Sequence, residues 1–536
     1  MNIGIDLDNT IIQYDSSFLK AAKFLKVEIP EEISEKEELK KFIRSSKGGE
    51  LLWQKVQGLA YGKFAIGFAQ LYPGVKRFLW RSKYRNHTVK IISHKTIYGN
   101  FDSEQYLLRD TAEKFLQLNN IFDCEEPLVE GLFFLSSREE KIQKIILENS
   151  EIFIDDLIEV VEELAKYDSI KVIHFERSKK EIFSDKKGLK KSDWHQIDNL
   201  INNSWEDREV IVLVKKLMKC QITDVEKISI GRNSAVYKLT TADQGVLKLK
   251  IYPIDEGHDR LKSEYFSNQI INDYNFNCIS KPIAIDESLS VALYQWIEGE
   301  IIQKFELEDI TECANFIGEL HKIKGDSRFE SIGTASAACL SGRDIENQLM
   351  NRLVEFKKVD NHELRKFLNE EFTPFVNQHV SDVKKGWSFD YSFDEDLKKE
   401  QLTLSPSDFG FHNMIKTGDG KLNYIDFEYF GFDDPVKLMS DFYYHPGMNL
   451  NSKQKEHWIL EISKHFSEEI LQRFNLFKSL YGLIWCLIIL NEFRSEIWER
   501  RNLANPDKEC EKSYLLKGQL NKAIELFNSI KIESNH

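Results

Sequence analysis

Residues 2–10 read NIGIDLDNT. The run from Asn2 to Leu7 has the apolar character of a short strand, yet Asp6 and Asp8 stand two residues apart at its end. Aspartate is a poor strand residue, and two neighbouring carboxylates repel unless something positive lies between them. The stretch therefore ends either in a plain turn or at a place where a cation and a phosphate belong.

Working outward, "HTVKIIS" (87–93), "EIFIDD" (151–156) and "SIKVIHF" (169–175) read as three more strands, each followed by amphipathic sequence. Strands alternating with helical patterns predict an α/β domain with a parallel sheet wrapped by helices, over residues 1–185. Residues 15–81, between the first two strands, form a long and mostly helical insertion. A polar, lysine-rich interval over 186–205 reads as a linker. The second domain, 206–536, opens with a helix and hairpin-like strands (a small sheet lobe over about 206–300). It continues as a mainly helical lobe over about 301–536, broken by a polar, glycine-containing stretch at 403–435. No internal repeat or low-complexity segment is visible.

A chain of 536 residues is too long for one ordinary domain. With 42% apolar residues and ten prolines, its composition suits compact folded domains. A formal charge of −14 argues against a nucleic-acid partner bound through a general basic surface, while leaving room for a local phosphate pocket. Seven cysteines without a CxxC pair predict a reduced, cytoplasmic protein with no zinc-finger spacing. No signal peptide is read ahead of the first strand. The most apolar run, "LYGLIWCLIILNEF" (480–493), is too short to span a bilayer and predicts a buried helix, with no membrane partner. The sequence leaves the oligomeric state open.

Open parallel sheets bind ligands at the carboxyl ends of their strands. Here those ends carry Asp6, Asp8 and Thr10 on the first strand, Ser93 followed by His94 and Lys95 on the second, and Asp155 and Asp156 on the third. Mg²⁺ takes oxygen ligands, usually one or two carboxylates with water and substrate phosphate. Asp6 with Asp155 or Asp156 supplies such carboxylates, and Ser93 with a lysine can hold phosphoryl oxygens. His94 is read chiefly as satisfying backbone groups, and Trp53 and Tyr61 in the insertion as helical core.

These residues resemble the haloacid-dehalogenase-like phosphatases. "DLDNT" matches the DxDx[TV] motif, "IISHKT" is similar to the second motif and "IFIDD" to the fourth. The third-motif lysine is taken as Lys141 in "SREEKIQKI", with Lys144 one turn further as the alternative. The resemblance implies a Rossmann-like sheet with the insertion as a helical cap. It implies that Asp6 attacks phosphorus to form an aspartyl phosphate and that Asp8 serves as acid and then base, around Mg²⁺ held by Asp6, Asp8, Asp155 and Asp156. Thr10, Ser93 and Lys141 would bind the phosphate.

In the second half, "LTLSPSDFGFHNMIKTGDGKLNYIDFEYF" places Asp408 and Asn413 five residues apart, with Asp426 at the end of a predicted strand. Phosphoryl transfer from ATP needs a carboxylate beside the acceptor hydroxyl and oxygen ligands for Mg²⁺, and this set provides both. The stretch resembles the aminoglycoside-phosphotransferase and choline-kinase family, which shares the protein-kinase fold. That resemblance implies an α+β, two-lobed domain with Asp408 as base and Asn413 and Asp426 as metal ligands. Pro406 stands where the family usually has a histidine, two residues before the base. "DFE" in place of "DFG", and no APE-like segment, point away from a protein substrate.

Lys248 and Lys250 in "GVLKLKIY" fall on one strand face. The family's apolar-apolar-Lys strand selects Lys248 for the nucleotide phosphates, with Glu264 as its ion-pair partner and Lys250 left as a solvated strand lysine. "SIGRNSAVYKL" is the phosphate-covering turn, with Gly231, Asn233 and Ser234 as nucleotide-binding residues, and "LYQWIEGE" fits an adenine-reading hinge. His321 is read as packed beneath the site.

Together the two halves predict a bifunctional enzyme. A Mg²⁺-dependent phosphatase would act on a small phosphate ester, and an ATP-dependent kinase on a sugar, alditol or amino alcohol, such as a surface-polymer precursor. The alternatives are an antibiotic phosphotransferase of the aminoglycoside type, or a regulatory protein with one domain that binds ligand without turnover.

Overall fold

A computed structural model describes residues 1–99, 104–176, 189–191, 193–228, 234–254, 257–502 and 512–534. The chain divides into two compact units, 1–220 with 286–290, and 221–285 with 291–536.

The first unit is built on β1 (Asn2–Ile5), whose apolar residues are buried on both faces as expected for a central parallel strand. A two-stranded pair, β2 (Ile12–Gln13) with β3 (Gln70–Leu71), closes the base of an insertion. Between them run α1 (Asp15–Phe24), α2 (Lys36–Arg44), α3 (Gly49–Tyr61) and α4 (Ala65–Phe68). This is the helical cap, and it is shorter than the expected 15–81. The next helix, α5 (Val75–Tyr84), buries Val75, Phe78 and Leu79 and packs against β4 (Thr88–His94), so it belongs to the sheet layers. There follow α6 (Leu108–Leu118), β5 (Gly131–Leu135), α7 (Arg138–Leu147), β6 (Ile152–Asp155), α8 (Ile158–Leu164), β7 (Lys171–Phe175), β8 (Leu189–Lys191), α9 (Trp194–Asn202) and α10 (Asp207–Met218).

The sheet order is β5-β4-β1-β6-β7-β8, parallel throughout. β1 thus lies between β4 and β6, which brings the carboxyl ends of the three motif-bearing strands side by side. A Cβ on Gly4 would sit 2.5 Å from the Phe153 ring, so the missing side chain lets β1 and its neighbour pack closely. Four strands were legible in the sequence; β5, half-buried along its whole length, and the three-residue β8 carry no clear alternation.

The expected linker over 186–205 is folded in its described part. β8 is the sixth strand, and Trp194 at the start of α9 is buried, its Nε1 donating to the Thr10 carbonyl at 2.9 Å. Residues 206–220, expected in the second domain, also belong to the first unit. Arg81 of α5 donates to Asp198 of α9 at 2.7 Å and to Glu209 of α10 at 3.0 Å, with all three side chains buried.

The second unit opens with β9 (Ile222–Ile228), β10 (Ala235–Thr241) and β11 (Val246–Ile251), then α11 (Arg260–Asp273), β12 (Pro282–Asp286) and β13 (Val291–Gln295). Their sheet runs β12-β13-β11-β10-β9, with β9–β10, β10–β11 and β11–β13 antiparallel. Leu261 and Tyr265 of α11 pack on Ala292 and Tyr294 of β13. The rest is mainly helical around one large apolar core. Small strands β14 (Glu300–Ile301), β15 (Thr403–Ser405), β16 (Met414–Lys416), β17 (Leu422–Tyr424) and β18 (Gly431–Asp433) stand at its edge. The apolar run at 480–493 lies in the helix Glu468–Ile489 and the turn after it. That segment is long and apolar enough to cross a membrane, yet 67% of its most apolar 18-residue window is buried in the core.

Candidate active sites

In the first unit the turn after β1 is tight. Asn9 adopts a left-handed φ of 59°, and Thr10 is folded back so that its Oγ1 lies 3.4 Å from Asp156 Oδ1. Asp6 is tied to β6 by its backbone N–H, which donates to the Ile154 carbonyl at 2.9 Å. Lys141, on the first turns of α7, donates to Asp6 Oδ1 and to Asp155 Oδ2, each at 2.6 Å. That helix is started by Ser137, whose hydroxyl caps the Glu140 N–H. Lys144 points elsewhere and pairs with Glu148 at 2.5 Å. Ser93 is buried at the end of β4, and its Oγ has no partner among the described residues.

Oxygens of Asp6, Asp155 and Asp156 lie within 4.8 Å of one another. Burial pushes the Asp155 carboxyl up to about 7, against the pull of Lys141 and with Asp6 adding repulsion. Burial, then the charges of Asp6 and Asp155, push Asp156 up to about 8. Three hard oxygen donors with this excess of negative charge fit a divalent cation such as Mg²⁺. Asp8 stands apart from the trio. Both its carboxylate oxygens accept from Lys95 Nζ, at 2.7 and 2.8 Å, and Oδ1 also accepts from the Tyr14 hydroxyl at 2.8 Å.

Sequence reasoning placed Lys95 at the end of the second strand without giving it a role, missed Tyr14, and took Tyr61 for cap core. Trp53 is core, stacked on Phe18 with centroids 5.1 Å apart, and the Tyr61 ring packs edge-on against Phe18 at 5.2 Å. The Tyr61 hydroxyl also accepts from Lys36 Nζ at 3.2 Å, and that ammonium reaches Asn9 Oδ1 at 3.0 Å. The cap thereby brings a lysine and two phenols to the DLDNT loop. His94 Nε2 contacts the Ser136 carbonyl at 3.0 Å, which is backbone satisfaction.

The second unit holds a cleft of about 640 Å³ lined by Ser234, Lys248, Lys250, Asn413, Asp426 and Glu428, with apolar walls from Val236 and Ile425. Sequence paired Lys248 with Glu264 and left Lys250 solvated, whereas the structure brings Lys250 closer to that carboxylate. Lys250 is the buried one, donating to Glu264 Oε2 at 2.6 Å, to Asp426, and to Glu428 Oε2 at 3.1 Å. Lys248 lies 3.5 Å from Glu264 and sits 4.5 Å over the Tyr294 ring. Burial lowers the Lys248 ammonium, whereas at Lys250 the charges of Asp426, Glu264 and Glu428 outweigh burial and hold it well above the usual range.

Glu428, two residues past Asp426, was visible only as the odd third letter of "DFE". It also accepts from Ser234 Oγ at 2.6 Å and from Arg260 at 2.9 Å. Glu264, Asp426 and Glu428 offer oxygens within 4.8 Å of one another, a second hard-donor set. Asp426 holds a left-handed φ of 69°, a strain that the surrounding ion pairs maintain.

Asp408 lies on the loop between β15 and β16. Asn413 Nδ2 donates to its carbonyl at 2.9 Å, and the Ile425 N–H donates to the Asn413 carbonyl at 3.0 Å, which ties the loop to the strand leading to Asp426. Hydrogen bonds from His412 and His445 outweigh burial and hold the Asp408 carboxyl well below the usual range. His321 Nδ1 lies 3.0 Å from the Thr403 hydroxyl of β15, beneath the loop. Gly231 and Asn233 fall outside the described residues.

No family model and no curated protein matches the chain. Solved structures that do match include an ethanolamine kinase from Plasmodium vivax, at 15% identity and TM-score 0.38, covering 57% of this chain and 81% of that one. A choline kinase from Streptococcus pneumoniae matches at 11% identity and TM-score 0.39, covering 60% and 99%. A spectinomycin phosphotransferase solved with ADP and spectinomycin matches at 12% identity and TM-score 0.41, covering 60% and 98%. Likeness at that level settles no activity.

Proposed function

We propose that the chain is a bifunctional phosphate-handling enzyme. Its second unit transfers a phosphoryl group from ATP to a hydroxyl of a small molecule, and its first unit hydrolyses a phosphomonoester. The observation that carries the reading is Lys250, which links Glu264 to Asp426 at a cleft that His412 and Asn413 also line. A cation-binding carboxylate, a phosphate-binding lysine and a general base are the parts that phosphoryl transfer needs.

In the second unit Lys250 holds nucleotide phosphate oxygens and Asp408 takes the acceptor's proton. Asn413, Asp426 and Glu428 are the groups that would hold Mg²⁺. In the first unit Asp6 attacks phosphorus, and Lys141 orients that carboxylate by donating to its Oδ1. Thr10 and the unpartnered Ser93 hydroxyl bind phosphoryl oxygens. Asp6, Asp155 and Asp156 would hold Mg²⁺, which supplies charge neutralisation in either unit. Asp8, held by Lys95 and Tyr14, is the acid–base group beside Asp6 for the leaving oxygen and then for water.

If both sites worked on one hydroxyl of one molecule, the net result would be ATP hydrolysis. They therefore act at different positions, on different intermediates or under opposing control, on sugars, alditols or amino alcohols. The described cysteines are all free, which suits a reducing, cytoplasmic setting.

The test is a screen of polyols, sugars, amino alcohols and aminoglycosides for acceptor-dependent ADP release, with phosphate release from phosphorylated forms of the same compounds. ADP release with none of them would defeat the kinase reading, and release with aminoglycosides alone would defeat the metabolic one.

A further inference from the structure

Two imidazoles from different parts of the chain meet one oxygen of Asp408. His412, four residues on in the same loop, puts Nε2 3.2 Å from Oδ1. His445, just past the helix Pro435–Tyr444, puts its Nε2 3.5 Å from the same atom. The rings are stacked, with centroids 4.5 Å apart and planes 13° from parallel. Gly410 makes this possible, because a Cβ there would lie 2.9 Å from the His412 ring and 3.0 Å from Met448 Sδ. His445 is fixed from its other side by Trp485, edge-on at 4.5 Å, whose Nε1 donates to Asp441 at 2.9 Å.

The hydrogen bonds also decide the tautomers. The Gly447 N–H donates to His445 Nδ1 at 3.0 Å, so Nδ1 keeps its lone pair and the ring proton sits on Nε2, facing Asp408. An Nε2 that carries a proton has no lone pair for a metal, so this trio is not a metal centre. His412 Nδ1 is buried without a partner among the described residues. A proton there would be buried with no acceptor, which places that ring's proton on Nε2 too. Pro406, two residues before the base, has no side-chain donor at all.

We propose that His412 and His445 are positioning residues for Asp408. Their two Nε2–H groups clamp Oδ1, fix the carboxylate plane and leave Oδ2 to face the acceptor. As the acceptor's O–H bond breaks, its proton passes to Oδ2 and its electron pair forms the new bond to the γ-phosphorus. The bond from that phosphorus to the bridging oxygen breaks, and its pair leaves with ADP. Both histidines keep their protons throughout. The proposal rests on the phosphotransfer reading of Asp408.

The test has two arms on the full-length protein. Histidine-selective ¹⁵N NMR needs no substrate. Asp408→Asn moves the Nε2–H resonances of both rings and leaves that of His379, which faces Ser479 elsewhere, where it was. Unmoved resonances of His412 and His445 overturn the clamp. The second arm measures ADP release from MgATP with choline, ethanolamine, spectinomycin, glucose, glycerol and ribitol. His445→Ala lowers kcat by about tenfold with the KM for ATP unchanged, and His445→Gln, which still presents an N–H, regains most of it. Equal kcat in all forms overturns the proposal, as does a loss in His445→Gln as deep as in His445→Ala. If the unmodified protein releases no ADP with any compound, the phosphotransfer reading fails and the NMR arm alone decides the clamp.

Discussion

Lys250 Nζ stands 2.6 Å from Glu264 Oε2, while Lys248, two residues earlier on β11, stands 3.5 Å from the other oxygen of the same carboxylate. Both side chains leave the strand on one face, and Lys250 is the one that pairs directly with Asp426 and Glu428. Lys250→Met is expected to lower the rate of ATP-dependent transfer on the order of 100-fold. Lys248→Met is expected to cost only a few-fold, by loss of packing on Tyr294. Steady-state kinetics with MgATP separate the two, and the reverse ranking would restore the sequence-based assignment.

The two activities should be separable by single atoms. Asp6→Asn removes the proposed nucleophile and is expected to lower phosphate release by at least about 10³-fold while leaving ADP formation intact. Asp408→Asn is expected to lower ADP formation by about 10²–10⁴-fold and spare phosphate release. Paired assays of phosphate and ADP on each variant check this, and joint loss from either change would contradict two independent sites.

Stability of the first unit should depend on pH and metal in a defined sense. The carboxyls of Asp155 and Asp156 are pushed up to about 7 and about 8, above their unfolded value, so the folded state binds more protons than the unfolded state between roughly pH 4 and 8. Folding stability without metal therefore falls as pH rises through that window. With a chelator present, the melting temperature is expected to drop by several degrees (on the order of 5 °C) from pH 5.5 to 8, and added Mg²⁺ to restore more of it at pH 8 than at pH 5.5. Differential scanning fluorimetry across pH would show it; a Mg²⁺ effect larger at pH 5.5 would refute the carboxylate trio as the site.

Arg81→Leu removes the cation shared by Asp198 and Glu209, leaving buried carboxylates without their partner. Arg85 still reaches Glu209 at 2.7 Å, so Asp198 bears most of the loss. The expected destabilisation is about 3–5 kcal/mol, read from urea unfolding. An effect below about 1 kcal/mol, in the range of an exposed pair, would mean that α9 and α10 do not pack as described.

Much of this was legible in the sequence, and the reasons differ by element. The four strands with continuous apolar runs stood out because burial on both faces demands them, and Asp6, Asp155 and Asp408 stood out because carboxylates at strand ends and in loops are costly without a task. β8 and α9 were hidden because a three-residue strand and a helix rich in Asn and Asp look like linker; only packing against β7 and Thr10 gives them structure. The pairing of Lys95 with Asp8 and the contacts of Lys36 were hidden because the partners are far away in sequence, and no local pattern marks them. The choice of Lys250 over Lys248 was out of reach for the same reason.

The bond from Trp194 to the Thr10 carbonyl joins atoms 184 residues apart in sequence. A gene shortened to end at residue 185, where composition suggests a boundary, would delete that indole together with the carboxylates that hold Arg81. The loop carrying Asp6 and Asp8 would then lose its outer support without any change to its own residues. The compact unit runs on to residue 220 and takes in 286–290 as well, so inactivity of a shorter form would speak of a missing wall rather than of missing chemistry.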